Sequence, residues 1–196
     1  AQQQTGGDWY QGTADAVYQN LSMIEGLDSE YILILAGDHV YKQDYSIMLK
    51  EHIECGADVS VACIEVPVSE ADQFGIMHVD ESDNIIAFEE KPSNPPTMPG
   101  NPQVSLASMG IYIFNTKFLC EKLRSDAGDK DSSHDFGKDL IPFFVGRSTI
   151  KAHHFSRSVI KNESYPHPYW RDVGTLTAYW ESNMDLTRLV PELDLY

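Results

Sequence analysis

Residues 31–39 read YILILAGDH: six consecutive residues with apolar or aromatic side chains, then a glycine, then a carboxylate. A continuous apolar run, as opposed to alternation, predicts a strand buried on both faces of a mostly parallel sheet. The flanking segments predict helices. GTADAVYQNLSMIEG at 12–26 puts Val17, Leu21 and Ile24 on one helical face, with Thr13 placed to cap the start and Gly26 to stop it. DYSIMLKEHIECG at 44–56 predicts a second helix ending at Gly56. Helix, buried strand and helix in succession define an α/β class.

The same alternation continues downstream. DVSVACIEV at 58–66 is β-rich, and residues 76–92 predict two short strands around a turn at Glu81–Asn84. SLASMGIYIFN at 105–115 predicts a strand and TKFLCEKLRS at 116–125 a short helix. In DFGKDLIPFFVG, Asp135 is suited to capping and Pro142 limits the helix that follows. TLTAYWESNMDLTRLV at 175–190 predicts a terminal helix with Leu176, Tyr179, Trp180 and Met184 on one side. The proline-rich stretch at 91–103 lacks periodicity and predicts a surface loop inside one domain.

Of the 196 residues, 30 are acidic and 14 basic, a formal net charge of −16. That balance argues against a nucleic-acid partner held by a basic face. It still permits anionic small substrates, because a few local cations or a metal ion override the net field. No apolar stretch approaches a membrane span, and no signal peptide is visible. Cys55, Cys63 and Cys120 form no CxxC pair, which fits a reducing, cytoplasmic setting. The chain opens on AQQQTGGDWY without a methionine and stops at PELDLY, as a portion of a longer protein would.

In open α/β sheets ligands bind beyond the carboxyl ends of the strands, where Asp38 stands. Gly37 leaves room there, and a carboxylate at that place offers hard oxygen ligands to a divalent cation. The plainer alternative is a cap on the next turn. YPHPYWRDVGT places a second carboxylate, Asp172, between aromatics and a glycine, again with a turn-and-cap alternative. Two aspartates at element ends are what a Mg²⁺ ion serving a nucleotide needs. Lys91 ends the strand IIAFEEKP, where it reaches a phosphate as a point charge or stands solvated beside Glu89 and Glu90.

WYQGTADAV, LAGDHVYKQDY, EEKP, SLASMGIYIF, SSHDFGKDLIP and YWRDVGTLTAYW together resemble the ADP-glucose pyrophosphorylase family (glucose-1-phosphate adenylyltransferases), the bacterial glycogen-synthesis branch above all. The resemblance covers essentially the whole chain, with the motifs in the family's order. LAGD alone marks only the wider sugar-nucleotide group, whereas SSHDFGKDLIP and YWRDVGT are far more particular.

The resemblance implies a Rossmann-like nucleotidyltransferase fold with a mostly parallel sheet, truncated at the N-terminus. It implies that residues 1–196 are a partial catalytic domain without the family's N-terminal Gly-rich phosphate loop and C-terminal β-helix. The implied reaction joins ATP and glucose 1-phosphate into ADP-glucose and pyrophosphate, with Mg²⁺ held by Asp38 and Asp172. The implied glucose 1-phosphate residues are Lys91 on the phosphate, with Glu90, Ser108, Gly75, Asp135 and Trp170 around the sugar. Tyr10, Gly12 and Thr13 match the segment near the nucleotide, beside Gly37. The full-length family is usually a homotetramer with allosteric control, and the isolated fragment is expected to be inactive.

Plainer readings stand beside these. Tyr10, Trp9 and Trp170 also fit packing, and Gly12, Gly75 and Gly110 fit turns or close approach. His153, His154 and His167 lack a metal spacing and read as structural. Two rival functions remain open: a UTP- or dTTP-using relative, or a non-catalytic regulatory subunit of the same fold.

Overall fold

The structure, a computed structural model, describes residues 9–160, 168–193 and 195. Its main sheet has six strands: β1 (Tyr31–Ile34), β3 (Val59–Pro67), β4 (Gly75–Val79), β5 (Ile85–Glu90), β6 (Val104–Asn115) and β7 (Ile150–His154). Their order is β5-β4-β6-β3-β7, with β1 also on β6. A separate ribbon pairs β2 (His39–Tyr41) with β8 (Trp170–Asp172). The helices are α1 (Thr13–Tyr18), α2 (Leu21–Glu25), α3 (Tyr45–Glu54), α4 (Thr116–Ala127), α5 (Ile141–Phe144) and α6 (Leu176–Asp185).

The α/β class expected from the alternation is the observed one, but the expectation of a mostly parallel sheet needs qualifying. The strands β1, β3, β4 and β7 do point one way, since the first three are antiparallel to β6 and β7 is parallel to β3. Because β6 runs against them through the middle, β3–β7 is the one parallel ladder among the described residues. A twelve-residue central strand that meets β1, β3 and β4 thus turns common direction into antiparallel pairing.

That long strand bulges halfway. Val61 faces Tyr112 and Cys63 faces Ser108, so β6 spends four residues where β3 spends two. An even surplus preserves the in-out alternation. Leu106, Tyr112 and Phe114 therefore share one core with Val59 and Val61, while Met109, Ile111 and Ile113 share another with Ala62 and Met48. The first core is closed by Leu119 and Leu123 of α4 and by Ile141 and Phe144 of α5. The second is closed by α3, whose His52 is hydrogen-bonded to Ser60 (2.8 Å) and Asn115 (3.3 Å).

Two local expectations are corrected, and the terminal helix shows which way its apolar side faces. The helix at 12–26 breaks at Gln19–Asn20 into α1 and α2; Gly12, not Thr13, is the N-cap, and the Thr13 hydroxyl turns to Asp135. The β1 strand is half-buried, not fully buried, with Leu33 37% and Leu35 47% exposed. Among the described residues it has β6 on one edge and no strand on the other. The apolar side of α6 faces outward: Leu176, Tyr179, Trp180 and Met184 are all exposed, whereas Ser182 and Asp185 are buried.

The cysteines are free, as expected. No helix among the described residues is long and apolar enough to cross a membrane. The histidines read as structural are so placed. His153 bonds Glu51 (2.7 Å) and Ser158 (2.7 Å), and His154 bonds Asp83 (2.9 Å) at the β4–β5 turn. His167 lies outside the described residues.

Candidate active site

The site occupies a notch in the sheet. On one edge of β6, β4 stops at Ala107 and β1 begins at Tyr112, so among the described residues Ser108–Ile111 have no strand beside them there. The bulge sits in this gap, and Gly110 adopts φ +65°, a left-handed conformation that glycine takes without penalty. The chain leaving β1 crosses the notch at Ala36 and His39: a Cβ on Gly110 would lie 3.8 Å and 3.7 Å from them. Asp38 is thereby set beyond the carboxyl end of β1, as position alone implied. A Cβ on Gly37 would face open space.

The β2–β8 ribbon then brings the two aspartates together. His39 pairs with Asp172 in register, and the Val173 N–H donates to the Asp38 carbonyl (2.8 Å). Both carboxylates close around Gly174. A Cβ there would come within 3.0 Å of Asp172 Oδ1 and 3.3 Å of Asp38 Oδ2. Both side chains are exposed, and Asp172 Oδ1 accepts from the Gly174 N–H (2.8 Å). No group of three or more His, Cys, Asp and Glu side chains converges among the described residues. Two exposed carboxylates supply the partial, all-oxygen donor set that suits Mg²⁺ when substrate phosphates and water complete it.

Trp170 connects this pair to the lysine. Its ring packs edge-on to His39 (5.1 Å between centroids, 82°) and lies 5.7 Å from Phe74. The Phe74 carbonyl accepts from the Lys91 N–H (3.0 Å), which holds Lys91 at φ +47°. A non-glycine residue in that region is strained, and such strain concentrates at functional sites. Lys91 is exposed and directly follows Glu90, which pairs with Gly75 in the β4–β5 ladder. A Cβ on Gly75 would meet Phe88 at 2.7 Å and Glu90 Oε2 at 3.0 Å, so a side chain there requires those neighbours to shift.

Tyr112 lies on the other side, hydrogen-bonded to Ser108 and under the charges of Asp135 and Glu90. Burial pushes the Tyr112 phenol far above its ordinary range; a hydrogen bond with Ser108 opposes this, and the charges of Asp135 and Glu90 add to it. Tyr112 stacks on Phe136 (5.5 Å). The Asp135 carboxylate is engaged structurally. It accepts from Gly137 N (2.9 Å) and Lys138 N (3.0 Å), capping a π-helical turn, and from the Thr13 hydroxyl (3.1 Å). Gly12 is pressed against that loop, its would-be Cβ only 2.2 Å from the His134 carbonyl. Thr13 and Gly12 thus moor α1 to the 133–135 segment. The Tyr10 hydroxyl lies 3.5 Å from Asn20 Nδ2, toward α2.

Sequence reasoning passed over His39, Phe74 and Tyr112. Alternation through Ser108 and Gly110 carried the signal for Tyr112, two residues further along the same face. Nothing local marked Phe74, whose role depends on Trp170 nearly a hundred residues away.

Two exposed carboxylates beyond the end of β1, a lysine held at positive φ and a gap in the sheet beside them form the candidate site of this α/β fold. The profile of the nucleotidyl transferase family matches residues 1–188, and the chain belongs to that family. Within it, the chain is 59% identical over 188 residues to the glucose-1-phosphate adenylyltransferase of Mesorhizobium japonicum. It is 60% identical to that of Granulibacter bethesdensis and 59% to that of Rhodopseudomonas palustris, again over 188 residues. Each alignment covers 96% of this chain and 45% of the relative, so the chain spans a little under half the length of these proteins.

Proposed function

We propose that this chain supplies the central part of an active site that transfers the adenylyl group of ATP to glucose 1-phosphate. A phosphate oxygen of glucose 1-phosphate attacks the α-phosphorus of ATP. The bond from that phosphorus to the bridging oxygen breaks, and pyrophosphate leaves with ADP-glucose as the other product. No covalent enzyme intermediate is required, so catalysis rests on in-line positioning and charge neutralisation.

The observation that carries this reading is the meeting of Asp38 and Asp172 around Gly174, joined through Trp170 and Phe74 to Lys91. Asp38 and Asp172 are the residues to hold Mg²⁺, which supplies charge neutralisation to the transferring phosphoryl group. Lys91 binds the phosphate of glucose 1-phosphate. Ser108, Glu90 and Tyr112 face the sugar, and Gly75 leaves space for it. Trp170 walls the pocket, and Asp135 shapes its far side by fixing its loop to Thr13. Tyr10, Gly12 and Thr13 lie on the side proposed for the nucleotide. The names of the relatives favour ATP over UTP or dTTP. The setting that goes with this reading is glycogen synthesis in the cytoplasm by an allosterically regulated homotetramer.

The test is pyrophosphate release by the full-length protein from glucose 1-phosphate with ATP, UTP and dTTP in competition. Release that depends on Mg²⁺ and prefers ATP supports the reading. Preference for UTP or dTTP overturns the nucleotide assignment, and no release with any of them overturns the enzyme assignment.

A further inference from the structure

We propose that His39 is a positioning residue for this transfer, holding the Asp38 carboxylate and the Trp170 ring in the orientation the site needs; the proposal rests on the adenylyl-transfer reading above. The described histidines divide sharply. His52, His78, His134, His153 and His154 each form at least one side-chain hydrogen bond. His39 forms none: its Nε2 stands 3.8 Å from Asp38 Oδ1, beyond hydrogen-bond range, and its Nδ1 is buried without a partner. Its side chain is only 11% exposed. A buried imidazole with no bond to fix its ring is costly as pure structure and calls for a partner that comes with function.

Its surroundings say what that function is. His39 lies opposite Asp172 in the ribbon and follows Asp38 directly. Its ring is wedged between the Gly110 bulge and Trp170. The Trp170 indole N–H is likewise buried and unpartnered. Two packed rings, each with an orphaned nitrogen, next to two exposed carboxylates, describe a site completed by its occupants. Asp38 Oδ1 stands 3.8 Å from His39 Nε2, so a carboxylate turned to close that gap would give one oxygen to the imidazole and leave the other for a cation. Outer partners of this kind orient a metal-binding carboxylate and raise its affinity.

The test compares His39→Phe, which keeps an aromatic wedge without a hydrogen bond, with His39→Gln, which restores a donor near the Nε2 position. Each full-length variant is measured for Mn²⁺ affinity by electron paramagnetic resonance without substrate, and for kcat and KM. The expected result for His39→Phe is a loss of about tenfold or more in Mn²⁺ affinity and kcat. KM for glucose 1-phosphate should change less, and His39→Gln should recover most of both losses. Parent-like Mn²⁺ affinity and kcat in His39→Phe overturn the proposal. So does equal loss in both variants, which would make His39 a packing residue only. If His39→Phe does not fold, His39→Ala against His39→Gln makes the same comparison. A parent protein without adenylyl transfer sinks the functional reading, while the Mn²⁺ titration still decides the role of His39.

Discussion

At the scale of single residues, placement at element ends was legible and partnership was not. Asp38 and Lys91 were found because each stands at the end of a predicted strand, and a strand's end is where ligands gather. That Asp38 meets Asp172 was not legible, since the meeting depends on a three-residue ribbon that pairs Tyr41 with Trp170, 129 positions further along the chain. The lysine permits a clean kinetic prediction. In the full-length protein, Lys91→Ala should raise KM for glucose 1-phosphate by about 10–100-fold, the worth of one lost charge-assisted contact. The kcat should change far less, because the contact exists before the chemistry as well as during it. Initial rates across glucose 1-phosphate concentrations check this; a kcat loss with unchanged KM contradicts it.

At the scale of elements, periodicity found the helices and five of the eight strands among the described residues, missing β2, β7 and β8, and it did not show what covers them. The strand at β1 reads as buried from composition, yet Leu33 and Leu35 are partly exposed. The apolar side of α6 likewise stands in solvent among the described residues. Hydrophobic pattern reports what a surface prefers, not what covers it. The break between α1 and α2 has a clearer cause: α1 is held at its start by the 133–135 loop, through Ala14 N to the His134 carbonyl (2.8 Å) and through Thr13 to Asp135. Gly12 makes that close approach possible. Gly12→Ala, with its methyl 2.2 Å from a backbone carbonyl, must displace the loop. It should cost about 1–3 kcal/mol, the usual range for overpacking, read as a lowered denaturant midpoint. An unchanged midpoint would show that the loop moves freely and that its contact with α1 has little weight.

At the scale of the whole molecule, the edge of the sheet remote from the notch is tied by ionisable groups. Asp83 at the β4–β5 turn bonds His154 (2.9 Å) and Arg157 (2.7 Å), and Glu51 of α3 bonds His153 (2.7 Å). Burial, the largest influence, holds the His153 and His52 imidazoles below their ordinary range. Burial acts to raise the Asp83 carboxyl, but bonds from Arg157 and His154 outweigh it and leave it depressed. A depressed folded value means stability that is complete above the unfolded value and lost as pH falls through the folded one. The two histidines should therefore cost stability as pH drops below about 6.5, and Asp83 should add its share below about 4. Denaturation midpoints should fall between about pH 7.5 and pH 5; a flat profile contradicts this assignment. None of it was visible in the sequence, where His153 and His154 read only as histidines without a metal spacing.

The central claim is that Asp38 and Asp172 act as one unit. It is tested most directly by a double-mutant cycle on turnover in the full-length protein, comparing Asp38→Asn, Asp172→Asn and the pair. If both carboxylates serve one cation, each single change should cut kcat by about 10²–10⁴-fold, and the double variant should lose little more than the worse single. Losses that multiply in the double variant, or a single variant that turns over like the parent, would show two independent residues and contradict the account.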